Sequence, residues 1–225
     1  MKIESIETFL VDRWFLVRVN TDAGISGVGE GGLHGFPQAA ETVVKAFQRY
    51  LVGQDPLRIE HHWQYLYRFS HFKGAAIGSA LSAVDIALWD IKGKHFKEPV
   101  WRLLGGAQNP VPAYITFGLL ELDKEQLVEM ARRFVAQGQD KLKMVVAINN
   151  GLNPAEDAAR VRAVREAVGD GVQLMMDANY LFSFNAALEL CNRVEQYNIT
   201  WFEELQGGVK GEQVVGIHHE LHPIA

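Results

Sequence analysis

The chain has 225 residues, 48% of them hydrophobic, and a formal net charge of −5. It can bury one large core or two modest ones, and it carries no basic footprint for nucleic acid. Its single cysteine, Cys191, excludes an internal disulfide framework and fits a reducing compartment.

The start, MKIESIETFLV, lacks the apolar stretch of a signal peptide. No apolar run approaches the ~20 residues of a membrane span, so no membrane partner and a cytoplasmic location are expected. Residues 2–11 carry Ile3, Ile6, Phe9 and Val11 and read as a first strand. Residues 14–20 and 25–29 give two more, with a turn between, as an antiparallel meander. Residues 30–38 (EGGLHGFPQ) read as a mobile glycine-rich loop. Their glycines are weak support for a phosphate site, since a proline precedes the helix and no basic partner stands nearby. Helices are expected over 39–50, over 55–68 with Ile59, Trp63, Leu66 and Tyr67 inward, and over 75–94. The last carries small residues that let another element approach closely. Asp85, Asp90 and Lys92 within it read as pairing with neighbours. Strands followed by helices make residues 1–110 an α+β domain.

After Pro110 strand and helix alternate. Strands are expected over 111–116, 141–147, 173–180 and 199–205, and helices over 123–137, 155–168 and 182–198. A short helix over 211–221 and a strand starting at 223 would follow. This pattern predicts parallel β/α units, and no dinucleotide fingerprint opens any of them, so a (β/α) barrel remains. A complete barrel takes about 250 residues. The 115 residues after Pro110 allow about four β/α units, a partial TIM-type barrel over 111–225 with open edges that favour self-association into a homo-oligomer.

Two of the strands end in carboxylates, Asp177 on one and Glu203 with Glu204 on the next. Consecutive parallel strands open on the same sheet edge, so Asp177 and Glu203 should face each other there. Two carboxylates that close repel unless a cation or a proton intervenes, and oxygen-only ligands favour Mg²⁺, Mn²⁺ or Ca²⁺. Acidic residues at strand ends also cap following helices, and that reading stays open beside the first.

Several runs, in this order, resemble the enolase superfamily in its mandelate racemase/muconate lactonizing enzyme branch. They are SALSAVDIALWDIKGK and PVWRLLGG in the first half, then MMDAN around Asp177 and WFEE ending at Glu204. The resemblance implies a cap that closes over the C-terminal mouth of a barrel. It implies Mg²⁺ held by three carboxylates on successive strands, stabilising the enediolate formed when a base removes the proton α to a substrate carboxylate. Asp177 matches the first metal ligand and Glu203 the second, with Glu204 as a supporting acid. Asn179, two residues on along the strand, would point to the same side and touch substrate. His34, His71 and Lys73 fall on loops corresponding to those that close over substrate. The family often carries Lys-x-Lys on the second barrel strand, which here gives Lys141 and Lys143 as candidate bases. Counting from Gly138 puts Lys143 in the first lysine position and Val145 in the second, so Lys143 fits either register. Near a bound cation its pKa would be lowered.

Two departures stand out. Leu205 occupies the place of the family's proline. The third carboxylate belongs on a strand that would come after Ala225, and residues 205–222 fit the family poorly. Glu212, His218, His219 and His222 read more readily as an exposed polar segment than as substitute ligands. The parent activity implied is Mg²⁺-dependent dehydration of a sugar acid (an aldonate or aldarate). A racemase, a cycloisomerase and a non-catalytic truncated member are the alternatives.

Overall fold

The computed structural model describes residues 1–69, 71, 73–106 and 110–205. The expected elements over 211–225, with Glu212 and the three histidines, lie outside the described residues. The chain divides into two compact units, Met1–Asn109 and Pro110–Ala225.

The first unit opens with a three-stranded antiparallel sheet of order β1 (Ile3–Val11), β2 (Trp14–Thr21) and β3 (Ser26–Gly31). The β1–β2 hairpin is tight, with Val11 paired to Trp14 and Asp12 left-handed at φ 53°. Helices α1 (Pro37–Leu51), α2 (Ile59–Arg68), α3 (Ala75–Phe96) and the short α4 (Val100–Leu103) follow. Ile3, Ile6, Phe15, Val17 and Val19 from the sheet pack with Val44, Phe47 and Leu51 of α1 and Val84, Leu88 and Ile91 of α3.

The residues expected to form the first part of a loop, Glu30 and Gly31, instead complete β3. Its glycines have a packing role rather than a phosphate-binding one. An added Cβ at Gly27 would overlap the Ala87 carbonyl, one at Gly29 the Ala83 carbonyl, and one at Gly31 would stand 2.7 Å from Ser79 Oγ. The small residues of α3, four apart, therefore lie directly on the backbone of β3. Side chains of α3 also cover the strand's free edge. Val28 N–H donates to Asp90 (2.9 Å) and Lys94 donates to the Ser26 carbonyl (2.8 Å). Asp90 further pairs with Lys94, and Lys92 lies over the Trp89 ring. Burial, helped by the charge of Glu60, raises the Asp85 carboxyl above the usual range.

On α2 the inward positions are Ile59, His62 and Leu66. Tyr67, expected inside, is exposed and stacks on Trp63 at 4.8 Å. The 59, 62, 66 spacing is the helical stripe, and it recruits a histidine because both ring nitrogens find partners. Nε2 donates to the Asp55 carbonyl (2.8 Å), so Nδ1 accepts from the Tyr50 hydroxyl (2.9 Å). Burial pushes the imidazole below the ordinary histidine range. As pH falls through about 6.5 the unfolded chain takes up this proton and the folded chain does not, so stability is lost on going down in pH. The gap in thermal midpoint between the native chain and His62→Gln should be wide at pH 7.5 and narrower at pH 5.5. A gap that stays constant would show that His62 titrates normally.

In the second unit, β4 (Ile115–Phe117), β5 (Lys141–Val145), β6 (Gln173–Asp177) and β7 (Ile199–Glu203) form one parallel sheet in sequential order. Between them run α5 (Lys124–Ala136), α6 (Ile148–Gly151), α7 (Pro154–Val168), α8 (Phe184–Val194) and a 3₁₀ turn, Glu195–Tyr197. This is part of a TIM-type barrel. β4 is shorter and later than expected, because its ladder to β5 runs only from Ile115↔Leu142 to Phe117↔Met144. The α5 start carries a full capping box between Asp123 and Gln126.

One face of the sheet is the core. Leu142, Met144, Leu174 and Met176 meet Leu127, Ala131, Val161, Val164, Ala187 and Leu190 from the helices. Arg165, buried on α7, gives its guanidinium to the carbonyls of Gly169, Val172, Tyr197 and Asn198. It thereby ties the end of α7 to the turns that feed β6 and β7.

Candidate functional site

Period two along β5 puts Lys141, Lys143 and Val145 on the face away from the helices. The register Val145↔Asp177 and Asp177↔Glu203 then brings the ends of β5, β6 and β7 level. The ladder continues past the strands. Val146 N–H donates to the Asp177 carbonyl (2.9 Å), Ala178 N–H to that of Glu203 (3.2 Å) and Tyr180 N–H to that of Glu204 (2.7 Å).

On this edge the Lys143 ammonium sits between two carboxylates. Its Nζ lies 3.0 Å from Asp177 Oδ2 and donates to Glu203 Oε1. Asp177 Oδ1 accepts from Asn179 N–H (3.0 Å), and Glu203 Oε2 from the Trp201 indole (3.2 Å). The Tyr114 ring lies 5.3 Å from Nζ, with Trp201 set edge-on to it at 5.4 Å. The Lys143 and Asp177 side chains are 8% and 12% exposed, whereas that of Glu203 is 37% exposed. The site thus has a buried floor and an open rim.

Burial works to lower the Lys143 pKa, but hydrogen bonds to Glu203 and Asp177 and their charges prevail and raise it above the ordinary lysine value. The direction is opposite to the one expected beside a bound cation, because here the ammonium is itself the cation the carboxylates face.

Lys141 is not brought to this edge. It pairs with Gln173 in the ladder and with Asp140 in an ion pair (2.7 Å). Four strand residues, about 13 Å, separate it from the level of Asp177. Asn179 is not on the strand, which ends at Asp177. Asn179 and Tyr180 are left-handed (φ 47° and 61°) and exposed, in the turn that leads to the Ser183 cap of α8. The alternation of a strand therefore does not apply there, and it is the Asn179 backbone, not its amide side chain, that meets Asp177. Glu204 is also left-handed (φ 52°). Its carboxylate takes a hydrogen bond from the Tyr180 phenol and raises that group's pKa.

His34, His71 and Lys73 belong to the first unit and are exposed. His34 lies edge-on to Trp14 at 6.2 Å, and the Lys73 ammonium lies over Tyr67 at 4.7 Å. Two residues of the site escaped the sequence reading. Trp201 stands two before Glu203, so period two would have found it. Tyr114 precedes the short β4, and no sequence signal marks it.

An antiparallel-sheet α+β unit followed by parallel β/α units, with carboxylates at the ends of successive strands, defines the class. The match to known families is consistent with it. The mandelate racemase/muconate lactonizing enzyme N-terminal domain covers residues 3–105, and the enolase C-terminal domain-like family covers residues 126–208. The chain belongs to the mandelate racemase/muconate lactonizing enzyme branch of the enolase superfamily.

Arabinonate dehydratase of Saccharolobus solfataricus is 36% identical over 193 residues, which is 83% of this chain and 50% of that protein. The 3,6-anhydro-alpha-L-galactonate cycloisomerase of Streptomyces coelicolor is 36% identical over 192 residues, 84% of this chain and 52% of that one. The crystal structure of the 3,6-anhydro-D-galactonate cycloisomerase from Zobellia galactanivorans matches with a TM-score of 0.87 at 32% identity, over 97% of this chain and 63% of that one. The chain thus spans about half the length of the first two relatives. Among the described residues no helix is long and apolar enough to cross a membrane.

Proposed function

We propose that this chain carries the cation-binding and proton-accepting part of an enzyme that removes the proton α to the carboxylate of a sugar acid, in a dehydration. Cycloisomerisation is the second reading, supported by the names of two of the relatives. One observation carries the proposal: oxygens of Asp177 and Glu203, from adjacent strands, converge on a single cationic group, Lys143.

The donor set suits a hard divalent cation such as Mg²⁺, which binds through one or two carboxylates and keeps several waters. Asp177 and Glu203 are the proposed ligands, and among the described residues no third His, Cys, Asp or Glu joins them in a group placed to hold a metal. A bound divalent cation would offset the negative charge that grows on the substrate carboxylate as its α-proton leaves. The chain's own residues do the rest. With a divalent cation on Asp177 and Glu203 the Lys143 ammonium would lose its partners and release its proton to solvent, and the neutral Nζ, at the same edge, would then accept the α-proton. The Tyr114 ring lies beside the ammonium, and Trp201 packs edge-on to that ring and donates to Glu203. Asp177, held by the Asn179 and Val146 backbone amides, keeps a constant position.

A titration of the chain with Mn²⁺ tests this. Asp177→Asn should weaken binding at least tenfold, about 1.4 kcal/mol. An unchanged affinity would mean that the carboxylates serve the fold alone. A panel of aldonic and aldaric acids, scored for exchange of the α-proton with D₂O, then separates a competent site from a folded but inactive one.

A further inference from the structure

The first two turns of α7 hold two buried charged residues that the site does not touch. Asp157 is fully buried and Arg160 is 4% exposed. Asp157 Oδ1 accepts from the backbone N–H groups of Ala147 (3.0 Å) and Ile148 (3.2 Å), in the loop that leaves β5. Arg160 Nη1 donates to the Leu122 carbonyl (2.6 Å), in the loop that leaves β4. Among the described residues Asp157 Oδ2 and Arg160 Nε and Nη2 have no hydrogen-bond partner. Burial pushes the Asp157 carboxyl up to about 6.

Buried charge of this kind is poor value for stability, since apolar replacements of similar volume are often neutral or better. What the pair does supply is position. Ala147 is a non-glycine residue at φ 75°, and Asn149 and Asn150 follow at 49° and 55°. Such a run is held only when its surroundings over-determine it. Ala147 is next to Val146, whose N–H donates to the Asp177 carbonyl.

We infer that Asp157 and Arg160 are positioning residues: together they clamp the loops leaving β4 and β5, and through Ala147 and Val146 they fix Asp177 at the sheet edge. The significance for Asp177 rests on the function proposed above, but the clamp itself does not.

Amide hydrogen exchange on the whole chain tests it. In an Asp157→Val/Arg160→Met double variant, the amides of Val146, Ala147 and Ile148 should exchange at least tenfold faster. Those of Leu174 and Met176 should be unchanged, with a thermal midpoint equal to the native one or higher. Asp157→Asn, which keeps an oxygen for both N–H groups, should stay within about threefold of the native rates. Arg160→Met alone should speed exchange at Leu122 and leave Gln126 as it was. Unaltered rates at 146–148, an Asn variant as fast as the Val variant, or a uniform rise across β5 and β6 would each overturn the clamp. Mn²⁺ affinity, measured on the same variants, should fall with the loss of protection. If Asp177→Asn leaves that affinity unchanged while the exchange pattern holds, the metal assignment fails and the clamp survives.

Discussion

A chain carrying Lys143→Met is expected to be about 2 kcal/mol less stable than the native chain in EDTA, and to recover most of that loss in excess Mn²⁺. The substitution keeps the volume and removes the only cation between Asp177 and Glu203 among the described residues. Removing one member of a buried ion group costs about 3–5 kcal/mol, because a charge is left without its partner. The Glu203 side chain is 37% exposed, and solvent screening brings the expected cost down to about 2 kcal/mol. Two carboxylates facing one another should then take a divalent ion more readily than when an ammonium competes for the same oxygens. Recovery of 2 kcal/mol needs free Mn²⁺ at roughly 30 times its dissociation constant. Urea midpoints in EDTA and in Mn²⁺ give both numbers. Equal destabilisation under the two conditions would remove the metal assignment. No destabilisation in either would show that the ion triad is not engaged.

Gly29→Val should cost about 3 kcal/mol or more, although strand propensity alone favours the larger residue. The new Cβ would overlap the Ala83 carbonyl and lie 2.9 Å from the Ala87 nitrogen. Both obstacles are backbone of α3, and they cannot rotate aside as a side chain would. Relief requires prising α3 from β3, which opens the core around Val84, Leu88 and Ile91. Gly32→Ala is the control. Nothing lies within 4 Å of a Cβ placed there, and its effect should stay within about 0.5 kcal/mol. Similar midpoints for the two variants would show that α3 does not rest on the β3 backbone.

These cases mark where the sequence is legible. The glycines of β3 and the small residues of α3 were each visible, and close approach on the helix was expected. That the two sets meet was not, because spacing of two and spacing of four say nothing about which element lies opposite. Counting apolar residues alone puts Tyr67 inside α2 and leaves out His62, whereas the Tyr50 and Asp55 partners make the histidine a satisfied core residue. The strand alternation that would point Asn179 at the site stops at Asp177, two residues short of it. The Asp157–Arg160 pair carries no sequence signal, since a charged pair on a helix is usually solvated.

The sequence by itself determined the order of strands and helices, the change from antiparallel meander to β/α alternation, and the fact that two successive strands finish in acids. Those properties are local: they follow from side-chain period, turn chemistry and capping, all read within a dozen residues. Only the tertiary structure set the Lys143 ammonium between Asp177 and Glu203, turned Asn179 and Glu204 out of the strand pattern, and brought the Tyr114 ring beside the ammonium. A period tells which face a residue occupies. Its height along the strand depends on the register with the neighbouring strand, and that is set by hydrogen bonds and core packing between residues far apart in sequence, such as Val145 with Asp177 and Asp177 with Glu203.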